Sequence, residues 1–246
     1  EISQHSLYSN NAAAIIAKKE NNLPFQQPSL KSNTSSKSVL LSHSNVELKT
    51  LGEIGTLKIG RRFVRKDIQK YGVPCFHYGD LYTYYGITTT QTRGFLSEEV
   101  ANKLRFAEPN DIVIVCAGEN DLDIGVGVAW LGKQPAVVHD ACCILHHNQN
   151  PRYISHFLRT HNYHLQIKKY VKNGKISSLP LSGLEKAIIP IPSLEEQERI
   201  ASILDRFDKL CNDISEGLPA EIELRRKQYE YYRNKLLSFP NAKITQ

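Results

Sequence analysis

The chain has 246 residues, 41% of them hydrophobic, enough for one large domain or two modest ones with a real core. No run of 18 apolar residues occurs, which excludes a helical membrane span, and five cysteines without a spaced framework argue against a disulfide scaffold and for thiols in a reducing cytoplasm. A net charge of +6, with a pI near 9.0 and a mean hydropathy of −0.38, favours a soluble protein whose partner is a polyanion such as nucleic acid.

Residues 1–45 are compositionally odd. The stretch SLKSNTSSKSVLLSHSN is dominated by serine and reads as a linker or tether, with room for a short helix over 12–20. The apolar stretch 12–17 is too short for a signal peptide, and a chain without methionine that begins at Glu1 reads as a processed or trimmed start.

Residues 46–192 carry the mixed pattern of an α+β (mixed α/β) domain. LKIGRRFVRKDIQK is the densest positive cluster, with Lys58, Arg61, Arg62, Arg65, Lys66 and Lys70 against Asp67. Arginine forks match phosphates and the O6/N7 edge of guanine, and Gly60 allows the loop a close approach to a backbone. The plainer alternative is a solvated basic face. Next, HYGDLYTYYGITTTQTRG supplies Tyr78, Tyr82, Tyr84, Thr88, Gln91 and Arg93, side chains that hydrogen-bond to base edges and phosphates. An exposed aromatic loop is the competing reading. Ser97 caps a helix through SEEVANKL. The β-branched runs DIVIVCAG and PAVVHDACCIL predict buried strands. Residues 152–171 predict one helix, with Ile154, Phe157, Leu158, Leu165 and Ile167 on its apolar side. Beyond it Lys172 and Lys175 flank Asn173 and Gly174, a turn able to grip a phosphate backbone.

The run AIIPIP then meets a helix without an intervening loop. Pro190 and Pro192 lack amide donors, so the strand is not central along its length and ends here. Pro192 also biases Ile191 away from helix, and Ser193 with Glu196 forms a capping box. Residues 193–246 are helical: Ile200, Ile203, Phe207, Leu210 and Ile214 step by three and four, a heptad seam. Gly217 can end that helix and Pro219 can start a second, where Ile222, Tyr229, Tyr232, Leu236 and Phe239 continue the spacing. These seams can pair with each other, with another copy or with a second protein. The join itself is stiff and fixes the angle between domain and helix.

Three constellations invite an enzymatic reading. NPRY, from Asn150, resembles the tetrapeptide with which amino-methyltransferases hold a flipped base, but Arg152 replaces the second proline and no glycine-rich cofactor loop accompanies it. A helix start explains it better. Cys142, Cys143, His146 and His147 have metal-binding chemistry, yet adjacent cysteines on a strand point to opposite faces, so no metal is expected. Glu119, Asp121 and Asp123 could form a nuclease-like acidic site. A loop that approaches another backbone through its glycines is the better reading, its acids repelling phosphate or accepting from cytosine N4.

PLSGLEKAIIPIPSLEEQERIASILDRFDKL resembles the junction between a target-recognition domain and the helical region in specificity subunits of type I restriction–modification enzymes. SEGLPAEIELRRKQYEYYRNKLLSF resembles the rest of that helical region, and VELKTLGEIGTLKIGRR and GVPCFHYGDLY resemble the domain's entry; together they cover residues 46–239. The resemblance implies a non-catalytic reader of double-stranded DNA in the cytoplasm. Modification subunits, which bind S-adenosylmethionine and methylate adenine, and an ATP- and Mg-dependent restriction subunit would be its partners, with no cofactor on this chain. The family carries two recognition domains and two helical regions, whereas this chain has one of each. A half-size subunit acting as a homodimer on a bipartite target is therefore expected, with a fragment of a longer subunit as the alternative. A helix over 194–216 would span ~33 Å, about one turn of DNA.

Overall fold

The computed structural model describes residues 46–213, 219–239 and 243–244. The serine-rich segment 1–45, Ile214 and Gly217 lie outside the described residues, as do the side chains of Leu210 and Ile222. The first half of the chain runs β1 (Glu47–Thr50), α1 (Leu51–Ile54), β2 (Gly55–Ile59), a 3-10 turn (Arg65–Asp67), β3 (Val73–Phe76), α2 (Tyr78–Thr83), β4 (Thr88–Thr89), β5 (Gly94–Leu96), α3 (Glu98–Ala101) and β6 (Phe106–Ala107). The second runs β7 (Ile112–Val115), β8 (Ala117–Gly118), β9 (Gly127–Trp130), β10 (Ala136–Val138), β11 (Cys142–His147), α4 (Pro151–Phe157), α5 (His161–Lys168), β12 (Ser177–Ser178), α6 (Leu181–Leu184), β13 (Ile188–Ile191), α7 (Leu194–Asp213), α8 (Pro219–Leu236) and β14 (Lys243–Ile244).

A five-stranded sheet, ordered β2-β11-β7-β9-β4, forms the centre. Its strands β7 and β9 are buried along their whole length, as a β-branched run without polar alternation requires. Val113, Val115, Val128, Trp130, Cys142 and Ile144 project from one face onto Phe76 and Leu81. A four-stranded sheet, β5-β3-β10-β6, packs beside it, and Phe76 meets Trp130 edge-on at 5.2 Å. The helix α4 packs on the other face.

Two predicted elements are divided. The run at 135–145 makes two strands in two different sheets, because residues 139–141 turn sharply: His139 Nδ1 accepts from the Ala141 amide at 3.1 Å. Residues 152–171 form not one helix but two, since Thr160 takes a β conformation and its hydroxyl accepts from Tyr163 N. The division turns Leu165 outward, 55% exposed, while Ile154, Phe157, Leu158 and Ile167 are buried as expected. Ser97 caps α3 through Val100 N, and the helix is a single turn.

The proline-marked strand β13 is an edge strand, antiparallel to β1 in the order β13-β1-β14. At Ser193 the capping box is half made: Ser193 Oγ accepts from Glu196 N at 3.3 Å, while the Glu196 carboxylate takes two bonds from Arg199 instead. The helix α7 follows directly, and its 20 residues span ~30 Å. Ile200, Ala201 and Leu204 are fully buried, so the buried stripe is broader than a heptad seam. The second helix, α8, packs on α7, with Phe207 and Tyr232 stacked at 5.6 Å and 15°. Tyr229 is buried, and Ile203 and Leu236 are half-buried.

Candidate nucleic-acid interface

The turn at residues 139–141 draws three distant segments together. Gly60 N donates to Cys142 O at 2.9 Å and Arg61 N to Val138 O at 3.0 Å, fixing the start of the basic loop. Cys116 N and Ala117 N both donate to Ala141 O, at 2.8 and 2.9 Å, fixing the strand that leads to Glu119. The pairing of β8 with β12 (Gly118 with Ser177, Ala117 with Ser178) then brings Ile176, next to Lys175, to the same place. The result is an open cleft of about 430 Å³, lined among others by Arg62, Arg65, His77, Tyr78, Glu119, His139, Asp140 and Ile176.

Its floor is a cluster of rings. His139 meets Phe63 at 5.0 Å, His77 at 5.1 Å and Tyr78 at 5.6 Å, while His77 lies 4.6 Å from Tyr78. His139 Nε2 lies 3.1 Å from Phe63 O, so the tautomer protonated at Nε2 donates there and leaves Nδ1 to accept from Ala141. Burial holds both histidines below the ordinary imidazole value. At His77 the neighbouring His139 and Arg65 add to the effect and Asp80 opposes it; at His139 Asp140 and the bond to Phe63 oppose it and Arg62 adds to it. His77 Nδ1 is buried without a hydrogen-bond partner in the free protein.

The rim carries the charge. The side chains of Arg62, Arg65 and Glu119 are exposed and make no hydrogen bond or ion pair within the described residues. Lys58, at the end of β2, and Lys66, in the 3-10 turn, are exposed and equally unpaired. Arg61 differs, because its guanidinium donates to Lys103 O at 2.9 Å. Gly60 is buried, and the close approach it permits is to its own chain: a Cβ there would lie 2.2 Å from the His139 carbonyl oxygen.

Of the residues read from sequence as DNA-binding, Arg62, Arg65 and Tyr78 line the cleft. The tyrosine-rich segment divides. Tyr78 and Tyr82 pack on the core cluster, whereas Tyr84 is 63% exposed with the Arg93 guanidinium 3.9 Å from its ring centre. Thr88 lies in the edge strand β4 and Gln91 in an exposed turn, neither lining the cleft. Lys172, Asn173 and Lys175 are exposed beside it, in the turn before β12. His77, His139 and Asp140 are lining residues that sequence reading missed. The signal was a His–Asp pair interrupting an apolar run, where only a turn or a site makes sense.

Two of the three enzymatic constellations are occupied structurally, whereas Glu119 and Asp121 of the third stand exposed. Asn150 caps α4 through Tyr153 N at 3.0 Å, and the buried Tyr153 hydroxyl donates to Pro190 O at 2.7 Å. Cys142 and Cys143 are fully buried on opposite faces, and burial raises both thiols well above their usual value. His146 bonds Asp111 at 2.6 Å, and burial holds the neighbouring His147 down to about 4. No group of three or more His, Cys, Asp or Glu able to hold a metal occurs among the described residues. Asn120 closes a turn onto Leu122 N, and burial raises the Asp123 carboxyl.

A second polar cluster forms the join to the helices. Arg152 pairs with both Glu198 and Asp205. His156, completely buried, bonds Asp205 at 2.7 Å and lies 3.4 Å from the Tyr229 hydroxyl. Gln197, also fully buried, accepts from Asn150 N at 3.0 Å and donates to Pro192 O and Gln149 Oε1 at 2.8 and 2.9 Å. Burial pushes the Asp205 carboxyl up, but His156 and Arg152 outweigh it and hold the group below the ordinary carboxylate value.

The family described as the type I restriction modification DNA specificity domain matches residues 43–224. A curated relative, the EcoR124I/EcoR124II specificity subunit of a type I restriction enzyme from Escherichia coli, is 35% identical over 203 residues, which is 79% of this chain and 49% of the relative. A second, a type I restriction enzyme specificity subunit from Haemophilus influenzae, is 32% identical over 77% of this chain and 47% of its own length. The chain thus spans about half the length of these curated relatives. Among solved structures, one from work on assembly and conformational transition of the type I R-M system superposes with a TM-score of 0.52 at 16% identity, covering 94% of this chain and 51% of that one. No helix among the described residues is long and apolar enough to cross a membrane.

Proposed function

This chain belongs to the type I restriction modification DNA specificity family, and we propose that it recognises a DNA sequence without catalysing any step itself. The observation that carries this reading is the cleft whose Arg62 and Arg65 stand exposed and unpaired over a ring-lined floor. Guanidinium groups left without a protein partner are available to phosphate oxygens and guanine edges. Lys58, Lys66, Lys172, Asn173 and Lys175 extend the positive surface along a backbone. Tyr82, Tyr84, Thr88, Gln91 and Arg93 complete the contact set we assign, with Gly60 and Arg61 holding the basic loop in place through their amides.

The helices α7 and α8 would carry the partners. Phe207 and Tyr232 stack the two helices on each other and Ile200 and Tyr229 are buried beneath them, while Ile203, Leu210, Ile214, Ile222 and Leu236 would serve a coiled coil with a second copy and the docking of modification subunits. S-adenosylmethionine, ATP and Mg would be bound by those partner subunits. A two-fold pair would read a two-part, symmetric target, since the site mirrors the symmetry of the protein that binds it. The four described cysteines are unpaired thiols, and burial pushes Cys75 up to about 12, in keeping with a cytoplasmic protein.

The test is to co-express the chain with a type I modification subunit from its source organism and map adenine methylation across the host genome. A symmetric two-part motif that vanishes when this chain is omitted is the expected result. Methylation indifferent to the chain would overturn the reading, and an asymmetric motif would overturn the symmetric pair alone.

A further inference from the structure

An acidic group in a cleft meant for a polyanion needs an explanation. Glu119 lines the same cleft as Arg62 and Arg65, yet it pairs with neither. Its position is set by the backbone: it follows β8, which is tied to Ala141 O and to β12, so the loop delivers it opposite Ile176. The other carboxylate of the cleft, Asp140, lies 3.0 Å from His139 Nδ1, a contact that becomes an ion pair when the imidazole is protonated. Glu119 has no such partner among the described residues and shares the cleft with the unpaired guanidinium groups of Arg62 and Arg65.

Facing phosphate, such a carboxylate only repels. In the major groove, the donors it could accept from are cytosine N4 and adenine N6. Adenine pairs that donor with the N7 acceptor, a pattern that suits an amide, which can both give and accept; a carboxylate suits cytosine, which presents only the donor. The guanidinium forks beside it match the O6/N7 edge of guanine. Both requirements meet in one base pair. We propose that this cleft reads a guanine–cytosine pair, with Arg62 or Arg65 on the guanine and Glu119 accepting from cytosine N4; the inference rests on the DNA-recognition reading above and names what that site selects.

The test uses this chain co-purified with its modification subunit and a pool of 40-base-pair duplexes with a randomised centre, sequencing the bound fraction for the wild type, Glu119→Ala and Glu119→Gln. The wild type is expected to select a motif containing a fixed G·C pair. In E119A the preference at that one position should fall by about tenfold, with the remaining positions unchanged. Affinity for duplexes lacking the motif should rise in both variants, because a charge that repels phosphate is gone. Opposite movement of selectivity and background affinity is what a merely structural glutamate would not produce. If the wild type selects a motif and E119A keeps every preference, or weakens all binding alike, the assignment of Glu119 is overturned while the DNA-recognition reading stands. If the wild type selects no motif, that reading falls and this one with it.

Discussion

The cleft and the join are built from the same side chains and use them in opposite ways. Both hold arginines, carboxylates, histidines and a tyrosine. At the join Arg152 has two carboxylates, His156 has Asp205 and a tyrosine hydroxyl, and Gln197 has three partners. In the cleft the side chains of Arg62, Arg65 and Glu119 have none among the described residues. Charge satisfied within the chain fixes the shape of the chain. Charge left over is directed at something outside it.

Three experiments press on that difference. The largest effect is expected from the combined variant R61E/R62E/R65E, which should lose roughly a thousandfold in DNA affinity near 0.1 M salt and flatten the salt dependence. At positions 62 and 65 the cost in stability should stay within about 0.5 kcal/mol each, while R61E adds the loss of its bond to Lys103 O, about 0.5–1.5 kcal/mol. Unchanged DNA binding would remove the cleft from the functional account. At the join the pattern should invert. Asp205→Ala strands Arg152 and the buried His156, and should lower unfolding free energy by about 2–3 kcal/mol, below the range for a fully buried pair because Asp205 is partly open to solvent. Because its carboxyl is held below the ordinary value in the fold, that contribution is present at neutral pH and persists through pH 5. It is lost only as pH falls through the native value, beneath the usual carboxylate range. Urea melts at pH 7, 5 and 3 would measure it.

The smallest effect concerns His77 and His139. Both are held below the usual 6.5 in the free protein, so they are neutral at pH 7. A bound polyanion favours their charged forms. DNA affinity should therefore rise as pH falls from 8 toward 6, by up to about tenfold, with proton uptake on binding visible by calorimetry in buffers of different ionisation enthalpy. The same depression makes these groups weaken the free fold as pH drops below 6.5, so stability and affinity should move in opposite directions. Replacing His77 by Gln should halve the pH response on a logarithmic scale; an unaltered slope would assign it elsewhere.

How much of this was legible in the sequence depended on the range of the forces involved. Local rules located β7, the Ser97 cap, the Asn150 helix start and the edge strand at Pro190, because each is decided by a few neighbouring residues. The strand at 135–145 was misread as one element because its apolar run continues straight across a turn, which only the bond from Ala141 N to His139 reveals. Thr160 is a helix cap that an apolar periodicity on both sides conceals. The basic cluster was visible as charge, but which arginines remain unpaired was not. Arg61 is diverted by Lys103, 42 positions away, and no local pattern encodes that. Gly60 was marked for close approach to a nucleic-acid backbone, whereas the backbone it approaches is that of its own residue 139.

The turn at residues 139–141 has an evolutionary consequence. It anchors the basic loop and the Glu119 loop through backbone groups, and the bonds from Gly60, Arg61, Cys116 and Ala117 are all main-chain. The outward side chains at 62, 65 and 119 can then be exchanged without disturbing the anchorage. A scaffold of this kind separates holding from choosing, so a lineage could acquire new target sequences by single substitutions while its architecture stands still.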